Sequence, residues 1–245
     1  MLTLYVIHHS PWSERARWAL LHHKLKFEER EHVPLVGELS LRMRAKNTKG
    51  KVSVPLLVDD DGMSVQGSLA IGEHVDRRGK RDKLFPEGAR ERIQELYDGV
   101  EDSLRAARER FTRDLMDDHE AQLESLPPAL RALPFASFSA RIGTQFIVGK
   151  YNARIGSVDD RIRSGLRKVR EALGGKPYVL DAFSFADVLG ASVVQAVVPV
   201  DAKYLDVPPG TRRLWKHEKL AKEFPDLVAW RDAVYGKHRP TTKKP

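Results

Sequence analysis

The sequence predicts an α/β N-terminal domain of order βαβαββα followed by an all-α C-terminal domain. Three observations carry this. Strand-like and helix-like periods alternate over residues 1 to about 78. From Leu84-Phe85-Pro86 onward the apolar patterns are long and helical, with no strand alternation. A chain of 245 residues has room for two domains of ordinary size.

Residues 2–7 are apolar and rich in β-formers, which predicts the first strand. Ser10-Pro11-Trp12-Ser13-Glu14-Arg15 follows, and Ala16, Ala19, Leu20 and Leu25 then keep roughly helical spacing. A strand therefore feeds a helix over 13–23 through Ser-Pro. Residues 26–32 alternate charges with Phe27, as suits an edge strand, and 37–45 predict a short helix. Residues 52–58 read as a buried strand, Asp59-Asp60-Asp61-Gly62 as a turn, 63–66 as a short strand and 68–76 as a helix. Pro55 would remove a ladder hydrogen bond from that buried strand. It is either a trans proline at the strand's first residue or part of a cis Val54-Pro55 bond, which would turn the Val54 N–H and C=O outward.

In the second half, residues 90–118 predict one long helix, with Ile93, Leu96, Val100, Leu104, Phe111 and Leu115 on one face. Leu126-Pro127-Pro128 and Leu133-Pro134 are breaks, and 138–151 and 157–173 are further helices. Gly174-Gly175-Lys176-Pro177-Tyr178 is a terminator. Ser184-Phe185-Ala186-Asp187 has capping-box spacing and opens a helix over 188–198. Residues 204–213, with Pro208-Pro209-Gly210, predict a loop, followed by helices over 214–223 and 225–235. The implied division is 1–80, 88–235 and a basic, mobile tail over 236–245.

Composition excludes several classes. With 41% apolar and 31% charged residues, and no run near the ~20 apolar residues of a membrane span, the chain is predicted to be soluble, with no membrane partner. The N-terminus enters its first strand at once, which predicts a cytoplasmic protein without an export signal. Net charge is +8, and Arg77-Arg78-Gly79-Lys80-Arg81-Asp82-Lys83 is the densest basic run. It lacks the aromatic interleaving or helix-turn-helix pattern of a nucleic-acid reader, so no nucleic-acid partner is assigned. The chain has no cysteine, and so no disulfide, thiolate metal site or cysteine nucleophile. His8, His9, His22 and His23 are adjacent pairs whose side chains diverge, and no metal is assigned to them.

Ser-Pro at the first helix, Val54-Pro55 before the third strand and Ser68-Leu69-Ala70-Ile71 at the last helix of the first domain together resemble the glutathione transferase superfamily. Phe183-Ser184-Phe185-Ala186-Asp187 and Phe224-Pro225-Asp226-Leu227-Val228-Ala229-Trp230 are similar to motifs of its helical domain. The resemblance covers nearly the whole chain. The first motif is closest to the serine-type and omega-like cytosolic members. It implies a thioredoxin-like glutathione-binding domain, a cis Pro55, glutathione as cosubstrate, a small electrophile or peroxide as second substrate, and a homodimer.

The resemblance also implies roles. Ser10 would donate a hydrogen bond to the glutathione sulfur and favour its thiolate; on local grounds it serves equally well as a helix cap, with Pro11 at the first helical position. Ser13 is the alternative donor. The Val54 backbone, ahead of Pro55, would pair with the cysteinyl part of glutathione, and Ser68 would hold the γ-glutamyl carboxylate at a helix N-terminus. The chain departs from the family at Gly67, where Glu, Asp or Gln is usual. A glycine gives the ligand's amine no side chain, and Gln66 would compensate only by a shift in register. Lys51 or Lys49 would reach the glycyl carboxylate, and Trp12, Phe111 and Leu115 would line the electrophile pocket or simply form core. Lacking cysteine, the chain is expected to conjugate or reduce peroxides rather than exchange disulfides. The alternative is a non-catalytic binding or scaffold protein with the same fold.

Overall fold

The computed structural model describes residues 1–34, 37–46, 50–124 and 157–241. The expected βαβαββα order is present. Four strands form one mixed sheet in the order β2-β1-β3-β4. β1 (Leu2–Val6) lies inside the sheet and buries Leu2, Leu4 and Val6 on one face. β2 (Phe27–Glu31) runs parallel to it along the edge, where its four charged residues meet solvent. β3 (Leu56–Val58) and β4 (Ser64–Gln66) form an antiparallel hairpin. Its turn is closed by Gly62 N–H to the Asp59 carbonyl at 3.0 Å.

Helices α1 (Pro11–His22) and α3 (Ser68–Arg78) pack together and share the core with Leu4 and Val6. Alternate residues of a strand face opposite ways. Tyr5 and Val58 accordingly pack on the other side, against a smaller cluster of Leu41, Val52 and Leu56 that α2 (Glu38–Arg44) helps to build.

The remaining elements are helical: α4 (Arg90–Asp117), α5 (His119–Glu124), α6 (Val158–Leu173), α7 (Phe185–Gln195), α8 (Pro209–Trp215), α9 (Glu218–Glu223) and α10 (Pro225–His238). Every residue of α7 is buried, and it packs against α1, α4, α6 and α10. The Asp187 carboxylate pins its start, accepting from the Ser184 N–H at 2.8 Å, the Ser184 hydroxyl at 3.2 Å and the Val179 N–H at 2.8 Å. Burial nonetheless pushes this carboxyl up to about 6. The sheet domain docks here: the Phe185 N–H bonds the Leu84 carbonyl at 2.8 Å. A Cβ on Gly72 of α3 would lie 2.6 Å from the Phe185 ring, so only glycine permits this approach.

Several expectations need correction. The predicted strand over 52–58 shortens to Leu56–Val58, because Pro55 offers no N–H to the ladder and Val52 turns into the smaller cluster. Val54-Pro55 is cis. The expected loop over 204–213 contains the start of α8, whose Pro209 occupies a first-turn position that needs no N–H donor. The helix expected over 214–223 is split at Lys216, which adopts extended backbone between α8 and α9. The tail expected over 236–245 begins inside α10, and Arg239 beyond it is buried. The breaks at Leu126-Pro127-Pro128 and Leu133-Pro134 and the helix over 138–151 lie outside the described residues. Among the described residues no helix is long and apolar enough to cross a membrane.

Candidate active site at the first helix

Sheet topology gathers the site. β1 ends at Val6, and β3, antiparallel to it, begins at the same end, with Leu56 opposite Tyr5. β4, antiparallel to β3, finishes there too, with Gln66 opposite Leu56. The start of α1, the Val54-Pro55 bond and the start of α3 are therefore brought to one end of the sheet. A 3.0 Å bond from the Gly67 N–H to the Pro55 carbonyl ties the last two together.

Ser10 is the N-cap residue of α1 by backbone, with φ −70° and ψ 128°, and its carbonyl accepts from the Glu14 N–H at 3.0 Å. Its half-buried hydroxyl makes no capping bond and has no partner among the described residues. Ser13 differs. It is fully buried, and its hydroxyl accepts from the Ile7 N–H at 3.2 Å, which locks the β1–α1 turn. The structure thus separates two hydroxyls that were equivalent in sequence: Ser13 is committed to the fold, and Ser10 is available.

Ser68 is 1% exposed at the start of α3, and its hydroxyl oxygen has no hydrogen-bond partner among the described residues. An orphaned buried hydroxyl at a helix N-terminus is suited to an anionic ligand group. Gly67 stands ahead of it at φ +92° and ψ 143°, and a Cβ there would meet nothing within 4 Å. Glycine satisfies the backbone and leaves the space before α3 open. The Gln66 side chain turns toward the adjoining segment, donating to the Lys51 carbonyl and the Ser53 hydroxyl at 3.4 Å each. Lys51 is exposed; Lys49 lies outside the described residues.

The three apolar candidates divide. Phe111 stacks on Trp215 with centroids 4.8 Å apart, and Leu115 is buried, so both belong to the core. Trp12 is half-buried, donates from Nε1 to Glu101 at 2.9 Å, and carries the Arg108 guanidinium 5.0 Å from its ring.

In the sequence, His8 and His9 are weighed only as metal ligands, and Glu14, Arg17 and Glu29, which also frame the β1–α1 turn, carry no role. His9 lies 5.2 Å from the Phe111 ring and lines a cavity of about 10 Å³, with Pro11, Gln195 and Trp215 among its walls. Burial, and then the neighbouring His8, push its pKa down to about 4. His8 reaches the Asp206 carbonyl at 3.0 Å and Glu29 at 3.4 Å, and the bond to Glu29 holds its pKa above the ordinary histidine value. On α1, Glu14 and Arg17 are buried and paired at 2.6 Å, and Arg17 also bonds Glu29 at 2.7 Å. Glu14 and Arg17 are three residues apart on one helix, but Glu29, Asp206 and Phe111 are distant in sequence, so no local motif announces the group as a whole.

Residues 4–81 match the family model described as the glutathione S-transferase N-terminal domain. This match spans about a third of the chain, whose residues 4–81 are similar to that domain. The described residues have the glutathione transferase fold, a thioredoxin-like domain joined to a helical one. A glutathione transferase from Phanerochaete chrysosporium superposes with a TM-score of 0.65 at 16% identity, covering 98% of each chain. One from Methylobacterium radiotolerans, solved in complex with glutathione sulfonate, gives 0.58 at 18% identity, over 100% of this chain and 97% of that one. A third, from Methylobacillus flagellatus with glutathione bound, gives 0.56 at 17% identity, over 97% and 95%. No curated protein sequence matches the chain.

Proposed function

We propose that the chain is a serine-type glutathione transferase, which activates the glutathione thiol for attack on a small electrophile or peroxide. The observation that carries this reading is the convergence of an available Ser10 hydroxyl, the Val54-Pro55 turn and the orphaned Ser68 hydroxyl at one end of the sheet. The residues fit glutathione in kind. Ser68 and the first N–H groups of α3 would take the γ-glutamyl carboxylate, and the Val54 backbone would pair with the cysteinyl unit. The space in front of Gly67 would admit the amine.

A free thiol with a pKa near that of cysteine, about 8.5, is mostly protonated at neutral pH. The Ser10 hydroxyl and the positive end of α1 favour the anion, at about 1.36 kcal/mol for each unit of pKa lowered. Ser10 acts as donor and the glutathione sulfur as nucleophile. The thiol proton passes to water. The sulfur then either displaces a leaving group, which departs with its bonding pair, or attacks a peroxide oxygen. In the second case the O–O bond breaks to give an alcohol and glutathione sulfenic acid, which a second glutathione converts to the disulfide and water. No protein thiol exists to form a mixed disulfide, so conjugation or peroxide reduction is the proposed class. The same reading makes the protein a cytoplasmic homodimer, with a glutathione-binding unit over 1–80 and a helical unit over 88–235.

One observation favours a second reading, a glutathione transferase fold kept for binding alone: Gly67 supplies no side chain to the ligand's amine. Calorimetry with glutathione, followed by turnover with a chlorodinitrobenzene electrophile, separates the two. The transferase reading expects saturable binding and turnover. No heat at millimolar glutathione, or binding without turnover for any electrophile or peroxide, favours the second reading and contradicts the first.

A further inference from the structure

A buried ion cluster reaches from the far end of the chain to the start of α1. Glu14 is 1% exposed in the first turn of α1, and its N–H bonds the Ser10 carbonyl. Its carboxylate receives Arg17 Nη1 at 2.6 Å and Arg239 Nε at 2.7 Å, with Arg239 Nη2 at 3.3 Å. Arg239, 3% exposed, follows α10 and lies 225 residues away in sequence. From α10 the Tyr235 hydroxyl stands 3.5 Å from Glu14 and 3.0 Å from Gln195 of α7. From α10, Arg231 also faces this cluster. From β2, Glu29 takes a share of Arg17, and His8 in turn pairs with Glu29.

The charges do not balance pairwise. Glu14 is a negative group at the positive end of α1, where it competes with any anion held beside Ser10. Arg17 is divided between Glu14 and Glu29, so it cannot by itself neutralise Glu14. Arg239 has no other carboxylate partner among the described residues; beyond Glu14 it donates to the Tyr204 and Pro240 carbonyls. Burial opposes ionisation of Glu14, yet Arg239 and Arg17 hold its carboxyl below the usual range, so it remains an anion.

We infer that Arg239 is a positioning residue of the thiolate site: by neutralising Glu14 it leaves the N-terminus of α1 electrostatically free for the glutathione sulfur. This rests on the transferase reading above. It couples the segment after the last helix to chemistry at the first, a link that neither residue's sequence neighbourhood contains.

The test is ultraviolet titration of the thiolate of bound glutathione, with the affinity for S-methylglutathione, which has no thiol to ionise, as the control. Arg239→Ala is expected to raise the thiol's apparent pKa and cut the thiolate fraction at neutral pH by about three- to tenfold. S-methylglutathione affinity should stay within about twofold of wild type. Arg239→Lys should restore most of the loss. Glu14→Gln, which keeps the shape and removes the charge, should shift the pKa the opposite way, and it serves as the test on its own if Arg239→Ala does not fold. A merely structural role moves both variants in the same direction and weakens S-methylglutathione equally; either that pattern or an unchanged pKa in both variants overturns the inference. Wild-type protein that binds no glutathione overturns the transferase reading itself, whereas a wild type that binds and titrates, with unshifted variants, overturns this inference alone.

Discussion

Ser68 is a serine whose hydroxyl has lost water without gaining a partner among the described residues. Leaving a buried hydroxyl unpaired costs about 1–3 kcal/mol, so the folded chain carries this group at a loss. Ser68→Ala should therefore be neutral to mildly stabilising in denaturant unfolding, by up to about 1 kcal/mol, while weakening glutathione binding by about tenfold in calorimetry. A variant that loses stability and keeps its affinity contradicts the assignment. The neighbouring residues mark the limit of what sequence reveals at this scale. Ser10 and Ser13 carry the same hydroxyl, and only the inward face of α1, which points Ser13 at the Ile7 amide, tells them apart. Gly67 reads in sequence as a missing ligand; in the fold it is the residue that a φ of +92° calls for.

Among the elements, the amphipathic helices were the most legible. The spacing of Ile93, Val100 and Leu104 gave α4 to within one residue, because a long apolar stripe has one solution. Prolines were the least legible. Pro55 cut a strand short and Pro209 began a helix, and in each case tertiary surroundings chose between roles that a proline can fill equally well. The end of α10 is hidden in the sequence because the final basic residues resemble a solvated tail. Instead the His238 ring stacks on Phe183 with centroids 4.0 Å apart and its Nε2 meets the Tyr178 hydroxyl at 2.8 Å.

That contact has a pH consequence. Burial, then Lys237 and His22, push the His238 pKa down to about 4 from 6.5. Between those values the unfolded chain binds the extra proton, so the group's contribution is complete above about pH 6.5 and is lost as pH falls toward 4. Unfolding measured across that interval should show wild type losing stability on acidification more steeply than His238→Gln. Parallel profiles for the two proteins contradict the assignment.

At the scale of the whole molecule, the sheet and the helical domain meet on polar as well as apolar ground. Arg15 of α1 reaches Glu101 of α4 at 2.6 Å and Ser192 of α7 at 2.7 Å, all of them buried. Glu14 and Arg239 repeat the pattern across the full length of the chain. Breaking such buried pairs from one side is costly, so the domains hold a fixed relation around the β1–α1 turn. Domain order and the short motifs showed in the sequence because each is local. This interface did not, since its partners lie 86 to 225 residues apart.

The proposed role of Ser10, at the start of α1, is to stabilise the glutathione thiolate. It is tested most directly by titrating bound glutathione in wild type, Ser10→Ala and Ser13→Ala. Wild type is expected to hold the thiol about one unit or more below its free pKa, and Ser10→Ala to lose most of that shift and at least about tenfold in turnover. Ser13→Ala should lower stability and leave the pKa in place. An unchanged thiol pKa and turnover in Ser10→Ala, with both collapsing in Ser13→Ala, would assign the thiolate to Ser13 instead.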